Sequence, residues 1–190
     1  EFRYDTRQNP HVAGVDAPAR RYGLGSRLES SGDYELEHDA WGRVIAKAQR
    51  VDGTVRKTRF TYDDWDLLRA VDLPDGLRVE LDYDAYARRV RKRVLRGAAE
   101  VERTTYVWSL LHIAQPVVER RPDAPVVTTY FYEDESQLVP LGHADDQARV
   151  HYVHSVKGTP EELVDDAGAL CGRATSTAFG FGCDAHCPDY

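Results

Sequence analysis

The sequence has no methionine and only three cysteines, Cys171, Cys183 and Cys187. An odd number bunched toward one end is not a disulfide framework, so cysteine usage says nothing about compartment. No apolar run approaches the roughly 18–20 residues that a membrane helix needs, and no signal peptide is visible. Positive charge is in deficit: 25 Lys and Arg stand against 32 Asp and Glu, a net charge of −7. A phosphate backbone or an anionic bilayer selects a basic face, so a general nucleic-acid or membrane-surface binder is disfavoured. Helical periodicity is missing too; "PEELVDDAG" (Pro160 to Gly168) offers one short turn of helix at most. The lack of Met and an opening, Glu1-Phe2-Arg3-Tyr4-Asp5, that already belongs to the pattern described next lead us to expect a piece of a longer polypeptide.

What is present is a rhythm. Aromatic-Asp pairs occur at Tyr4-Asp5, His38-Asp39, Tyr62-Asp63 and Tyr83-Asp84, the last three separated by 24 and 21 residues. Tyr106-Val107-Trp108, Tyr130-Phe131-Tyr132 and Tyr152-Val153-His154 continue it at spacings of 24 and 22 without the Asp. A period of this size sustained along a chain marks an internal repeat. Within each unit the period is two. Val79, Leu81 and Tyr83 face one way and Arg78, Glu80, Asp82 and Asp84 the other; Tyr34, Leu36 and His38 oppose Glu35, Glu37 and Asp39. That alternation belongs to half-buried antiparallel strands. Val51-Asp52-Gly53 and Pro74-Asp75-Gly76 supply hairpin turns. The fold class is therefore all-β: repeated hairpins stacked into one curved sheet over residues 1–180, with a Cys-containing tail at 181–190. A lone hairpin cannot bury its apolar face, so the Tyr and Trp side chains are expected to serve mainly in packing between neighbours.

These words resemble the Rhs/YD-repeat family, which includes bacterial polymorphic toxins, the C subunits of insecticidal toxin complexes and the teneurins. The family's unit is Tyr-Asp, two residues, then Gly-Arg. "HDAWGRV" keeps Gly42 and Arg43 and replaces Tyr by His38; "YDDWDLL" and "YDAYARR" keep the Tyr-Asp and lose the Gly. "TTYVW" (104–108), "TTYFYEDESQLVPLGHAD" (128–145) and "HYVHSVKGTPEELVDDAGAL" (151–170) follow the order of the Rhs core, with Gly158, Thr159, Pro160, Leu163, Asp165 and Gly168 the most diagnostic. Ser155-Val156-Lys157 stands where the family usually has an Asp-His pair. No Asp-Pro dipeptide occurs, so the family's aspartyl autoprotease motif is missing, and no toxin domain is identifiable. The resemblance implies an arc of a cocoon-like β-shell enclosing a toxic cargo in interbacterial competition or insecticidal systems, with no catalysis and no cofactor in this chain. Its implied partners are the remaining shell repeats, the cargo, and a secretion-system spike or chaperone. Its implied location is the cytoplasm before export by a secretion system, type VI in many Rhs forms.

Each candidate site has a structural alternative. The carboxylates Asp5, Asp39, Asp63 and Asp84 recur once per unit, which favours turn-capping hydrogen bonds over catalysis. Arg88, Arg89, Arg91, Lys92 and Arg93 form a basic run, read as a solvated strand face opposed by Glu80 and Asp82. Cys183, His186 and Cys187, with Cys171 upstream, form a weak zinc candidate that lacks a second paired motif. His143, His151 and His154 lie near Asp145 and Asp146, with His151 and His154 expected on opposite faces. Gly23-Leu24-Gly25 lies in a loop with no helix behind it and makes no phosphate cradle. A second function class remains: an aromatic-faced sheet binding glycan or protein at a cell surface, with Trp65 and Trp108 as the stacking residues.

Overall fold

A computed structural model describes residues 2–12, 19–109, 112–119, 125–134, 138–156 and 158–173. Among them the regular structure is strand, with one 3₁₀ turn at Leu24–Ser26. The strands are β1 (Phe2–Tyr4), β2 (Pro10–Val12), β3 (Arg20–Tyr22), β4 (Leu28–Ser31), β5 (Tyr34–His38), β6 (Val44–Val51), β7 (Thr54–Tyr62), β8 (Leu68–Asp72) and β9 (Leu77–Tyr83). They continue as β10 (Arg89–Arg96), β11 (Ala99–Ser109), β12 (His112–Glu119), β13 (Val126–Val127), β14 (Thr129–Phe131), β15 (Gly142–Ala144), β16 (Arg149–His154), β17 (Pro160–Val164) and β18 (Leu170–Arg173). Hydrogen-bonded order follows chain order: β1 with β2, β3 through β13, and β14 through β18. The fold is all-β and built from antiparallel hairpins, as the period-two pattern requires.

The chain divides into two compact units. One comprises the residues to Asp82 with Arg93–Val101; the other comprises Tyr83–Lys92 and the residues from Glu102 onward. In the first, β6 and β7 are joined by Asp52-Gly53, with Val51 paired to Thr54 and both turn residues at positive φ (50° and 76°). Two left-handed residues in a two-residue loop match the twist of the flanking strands, which is why Asp-Gly works there. Along β5, Tyr34, Leu36 and His38 are half-buried while Glu35 and Glu37 are exposed, so the predicted alternation holds. On the charged face the ion pairs cross strands: Lys57–Glu37 at 2.7 Å, Arg78–Asp72 at 2.8 Å and Arg93–Glu80 at 2.8 Å.

In the second unit, β14 to β18 form a five-stranded meander. The short helical turn allowed for "PEELVDDAG" is corrected here. Pro160–Val164 is strand β17, paired with β16 and β18, and Asp165–Gly168 is the hairpin turn. Leu163 of β17 lies opposite Tyr152 and Gly172, and sheet pairing overrides the weak local helical preference of Glu161-Glu162-Leu163.

The interior is thin. Among the described residues the buried apolar side chains are Ala46, Ala70, Leu81 and Val150. A sheet face needs a second layer to become a core, and few apolar side chains of the described residues are covered to that degree.

Candidate functional site

The recurring feature is a five-residue loop, built the same way each time. At Asp5, Asp39, Asp63, Asp84 and Asp165, the Asp N–H donates to the carbonyl four residues on, and the N–H three residues on returns a bond to the Asp carbonyl. The Asp Oδ1 then accepts the N–H groups of the second and fourth following residues: Trp41 and Arg43 on Asp39 (3.0 and 2.9 Å), Trp65 and Leu67 on Asp63 (2.9 and 3.0 Å), Tyr86 and Arg88 on Asp84 (2.9 and 3.0 Å). Asp165 takes Ala167 and Ala169 likewise, and Asp5 takes Arg7 and Asn9. A carboxylate one bond from its own backbone reaches these turn donors with little entropy lost. The periodic carboxylates are locks on turns, in separate places, as their spacing indicated.

The same geometry explains Gly-Arg. The third residue after the Asp adopts the left-handed conformation every time: Gln8 (φ 62°), Gly42 (90°), Asp66 (62°), Ala87 (59°) and Gly168 (79°). Glycine enters that region freely and a Cβ pays roughly 1–2 kcal/mol for it. Ala87→Gly is therefore expected to stabilise the chain by about 0.5–1 kcal/mol, the strain relieved less the entropy glycine brings to the unfolded state. Gly168→Ala, where an added Cβ meets nothing within 4 Å, should lose about as much. Urea midpoints of the two variants check both signs.

Arg43, the fourth residue after Asp39, closes a wider network. Its Nε donates to Asp39 Oδ2 at 2.6 Å and its Nη1 to Asp66 Oδ1 at 2.6 Å, and the guanidinium lies 5.0 Å over the Trp41 and Tyr62 rings. Arg88 repeats this in the second unit, with Nε on Asp84 Oδ2 at 2.8 Å between Tyr86 and Trp108. Desolvation pushes the Asp39 and Asp84 carboxyls up, but the Arg43 and Arg88 guanidiniums and the loop N–H groups outweigh it and hold both below the usual carboxylate range. The bond to Asp39 holds Arg43 above its ordinary value. Aromatic donors tie successive hairpins: Tyr62 Oη to the Val44 carbonyl (3.0 Å), Trp108 Nε1 to that of Arg89 (2.9 Å) and Tyr132 Oη to that of Ile113 (3.0 Å).

The other candidates fall as follows. Tyr83 ends β9 directly before Asp84, and Tyr4 ends β1 before Asp5. In the basic run, Arg93 pairs with Glu80, Lys92 with Glu102 at 2.9 Å, and Arg89 lies 4.8 Å over Tyr106. His143 Nδ1 meets Tyr152 Oη at 2.7 Å and His154 packs edge-on against the same Tyr152 ring, whereas His151 Nε2 meets Asp166 Oδ1 at 2.8 Å. Ser155, Gly158 and Thr159 form another loop of the same hydrogen-bond pattern, with Gly158 left-handed at 75° and Pro160 opening β17. Gly23 and Leu24 begin yet another, Gly23 N–H bonding the Arg27 carbonyl at 2.8 Å. Cys171 is half-buried in β18; Cys183, His186 and Cys187, with the rest of the 181–190 tail, lie outside the described residues.

The sequence missed two things. Asp165 and Leu73 start loops of this pattern without an aromatic before them, and Ser155 starts one without an Asp; the left-handed Gly at the third following place (Gly168, Gly158, Gly76) was the available signal. Packing was also expected of the loop aromatics, yet Trp41, Trp65 and Tyr86 are exposed. They occupy the second loop position, beyond the strand ends, where no neighbouring strand can cover them.

The RHS Repeat family model matches residues 38–78, the stretch that contains the loops at Asp39, Asp63 and Leu73. No curated protein matches this chain in sequence. Among solved structures it is similar to a chain of the TcdB2–TccC3–Cdc42 crystal structure, with a TM-score of 0.53 and 14% identity, covering 94% of this chain and 11% of that one. At that identity the likeness concerns the fold. A TcdB2–TccC3 crystal structure (TM-score 0.37, 10% identity, 84% of this chain and 7% of that one) is also similar. So is a Photorhabdus luminescens Tc holotoxin pore with a substituted TccC3 (0.36, 11%, 96% and 13%). This chain thus spans about a tenth of the length of the first of these solved chains.

Proposed function

We propose that this chain is a stretch of wall: a non-catalytic run of RHS repeats that, with the rest of its shell, encloses a toxin until delivery. The observation that carries this reading is how few apolar side chains are buried among the described residues: Ala46, Ala70 and Leu81 in one sheet and Val150 in another. Sheet faces left so open are to be covered by something else, and enclosed cargo together with further repeats would supply that cover. The repeat match and the likeness in fold to part of a TcdB2–TccC3 assembly support it. Locked turns serve such a role, since a wall must keep its register under load without a core to enforce it. Delivery in interbacterial competition or an insecticidal complex, by a secretion system after assembly in the cytoplasm, with a spike or chaperone as further partner, is the setting this wall fits. No helix among the described residues is long and apolar enough to cross a membrane.

Native mass spectrometry of the polypeptide that contains these repeats, before and after limited proteolysis, tests the proposal. A wall retains a protected cargo species after exposed loops are nicked. A 21.5 kDa chain that stays monomeric, binds no apolar dye and travels with nothing would overturn it.

A further inference from the structure

Thioethers and thiols are the side chains that ordinarily absorb oxidants. This chain has no Met and three Cys, so oxidising equivalents fall largely on its eleven Tyr and three Trp. The tyrosines are not equivalent. Arg43 lies 5.0 Å over the Tyr62 ring, Lys47 4.7 Å over Tyr34, Arg88 5.2 Å over Tyr86 and Arg89 4.8 Å over Tyr106. A cation held by a ring's electrons repels a positive hole on that ring, so each of these four is harder to oxidise. Tyr22, Tyr62 and Tyr132 donate their hydroxyls to the carbonyls of Pro10, Val44 and Ile113. A carbonyl accepts a hydrogen bond, but it is no base at neutral pH.

Tyr152 is placed differently. From β16 its Oη lies 2.7 Å from His143 Nδ1 on the paired strand β15. Its ring centroid is 5.6 Å from that of His143 and 6.0 Å from that of His154, and the Tyr130 ring lies 5.9 Å from His143. Imidazoles thus flank this phenol where guanidiniums lie over the others. Burial raises the Tyr152 phenol, and burial lowers the His143 imidazole with only partial offset from Asp145. At neutral pH the phenol therefore keeps its proton and the imidazole has a lone pair to receive one. A phenol that loses an electron becomes a strong acid and cannot hold its proton. A ring nitrogen at 2.7 Å is near enough to take that proton in the same step.

We propose that Tyr152 and His143 form a reversible one-electron redox site, at which an outer-sphere one-electron oxidant takes its electron in preference to the other tyrosines. The oxidant gains one electron and Tyr152 loses one. The Tyr152 O–H bond breaks, and the proton bonds Nδ1 of His143. The products are a neutral phenoxyl radical and an imidazolium, and no bond to carbon forms. A small-molecule reductant such as ascorbate returns the electron, and His143 returns the proton. His151, the neighbouring histidine on β16, takes no part, because its Nε2 is engaged by Asp166 at 2.8 Å.

The test oxidises the repeat-containing polypeptide near neutral pH with photogenerated tris(bipyridine)ruthenium, persulfate serving as the sacrificial acceptor. Samples are frozen and read by electron paramagnetic resonance, with ring-deuterated tyrosine to separate tyrosyl from tryptophanyl signals. Tyr152→Phe should remove most of the tyrosyl signal, and His143→Gln should reduce it severalfold. Tyr86→Phe should leave it unchanged, although that ring is 81% exposed. The wild-type radical should form more slowly in heavy water, because the proton moves with the electron; this measurement needs no variant to fold. Thermal unfolding of each variant separates a lost site from a lost fold. A tyrosyl signal undiminished in Tyr152→Phe, or lost with Tyr86→Phe instead, overturns the proposal. So does a signal indifferent to His143→Gln, or a rate indifferent to heavy water, since the imidazole then takes no proton.

Discussion

Gly142→Ala is expected to cost about 3 kcal/mol or more and to disorder the β14–β16 strands. Gly142 is buried in β15, paired with Phe131 on one side and His151 on the other. Its backbone is not left-handed, so the requirement for glycine is one of space alone. An added Cβ would overlap the Val150 carbonyl oxygen and sit 2.5 Å from Phe131 Cζ. The Phe131 ring lies over the glycine and meets the His151 ring edge-on at 5.6 Å, so one aromatic covers the gap that glycine leaves in the sheet. The ring could swing aside, but the carbonyl belongs to Val150, which is 1% exposed and part of the β15–β16 pairing. Urea unfolding followed by near-ultraviolet circular dichroism reads the effect. Phe131→Leu in the Gly142→Ala background should recover part of the loss and no more, because the carbonyl clash remains. Unaltered stability of the single variant would mean that β15 does not lie where we place it.

The second expectation is sensitivity to acid in the same sheet. Burial holds the His143 imidazole below its usual 6.5, and the nearby Asp145 charge only partly offsets this. The groups against it are Tyr152, whose Oη meets Nδ1 at 2.7 Å, and Tyr130, whose ring centroid is 5.9 Å away. Tyr152 itself stacks edge-on with His154, whose Nε2 is buried without a partner. The phenols are neutral across this range, since burial raises both Tyr130 and Tyr152. A histidine lowered in the folded state binds fewer protons there than in the unfolded chain. Its contribution to stability is therefore whole above about 6.5 and is lost as pH falls from there toward the lowered value, by up to about tenfold in the folding constant per pH unit in that window. Asp145, held low by the Gln147 and Ala148 N–H groups, works in the same direction further down the scale. Urea midpoints between about pH 7.5 and pH 5 should fall for the wild type, and His143→Asn should flatten most of that slope. An equal slope in the variant would place the proton uptake elsewhere.

What the sequence determined by itself is the local grammar. Period-two alternation in Tyr34–His38 and Leu77–Tyr83 can only be a half-buried strand, because a helix would scatter the same residues around its axis. Asp52-Gly53 can only be a tight hairpin, because both residues tolerate the left-handed region that such a turn demands. The Asp residues were legible as turn locks, since their partners are two and four residues away in the chain. What the tertiary structure decided depends on distance along the chain. Arg43 finds Asp66 and Tyr62 on the next hairpin, and that pairing exists only once the strands are in register. Pro160–Val164 is a strand because β16 and β18 flank it, against its own slight leaning toward helix. The exposure of Trp41 and Trp65 and the engagement of Trp108 were equally invisible in advance. The same residue type is solvent-exposed at a loop's second position and engaged by neighbours on a strand, and only the placement of strand ends separates the two.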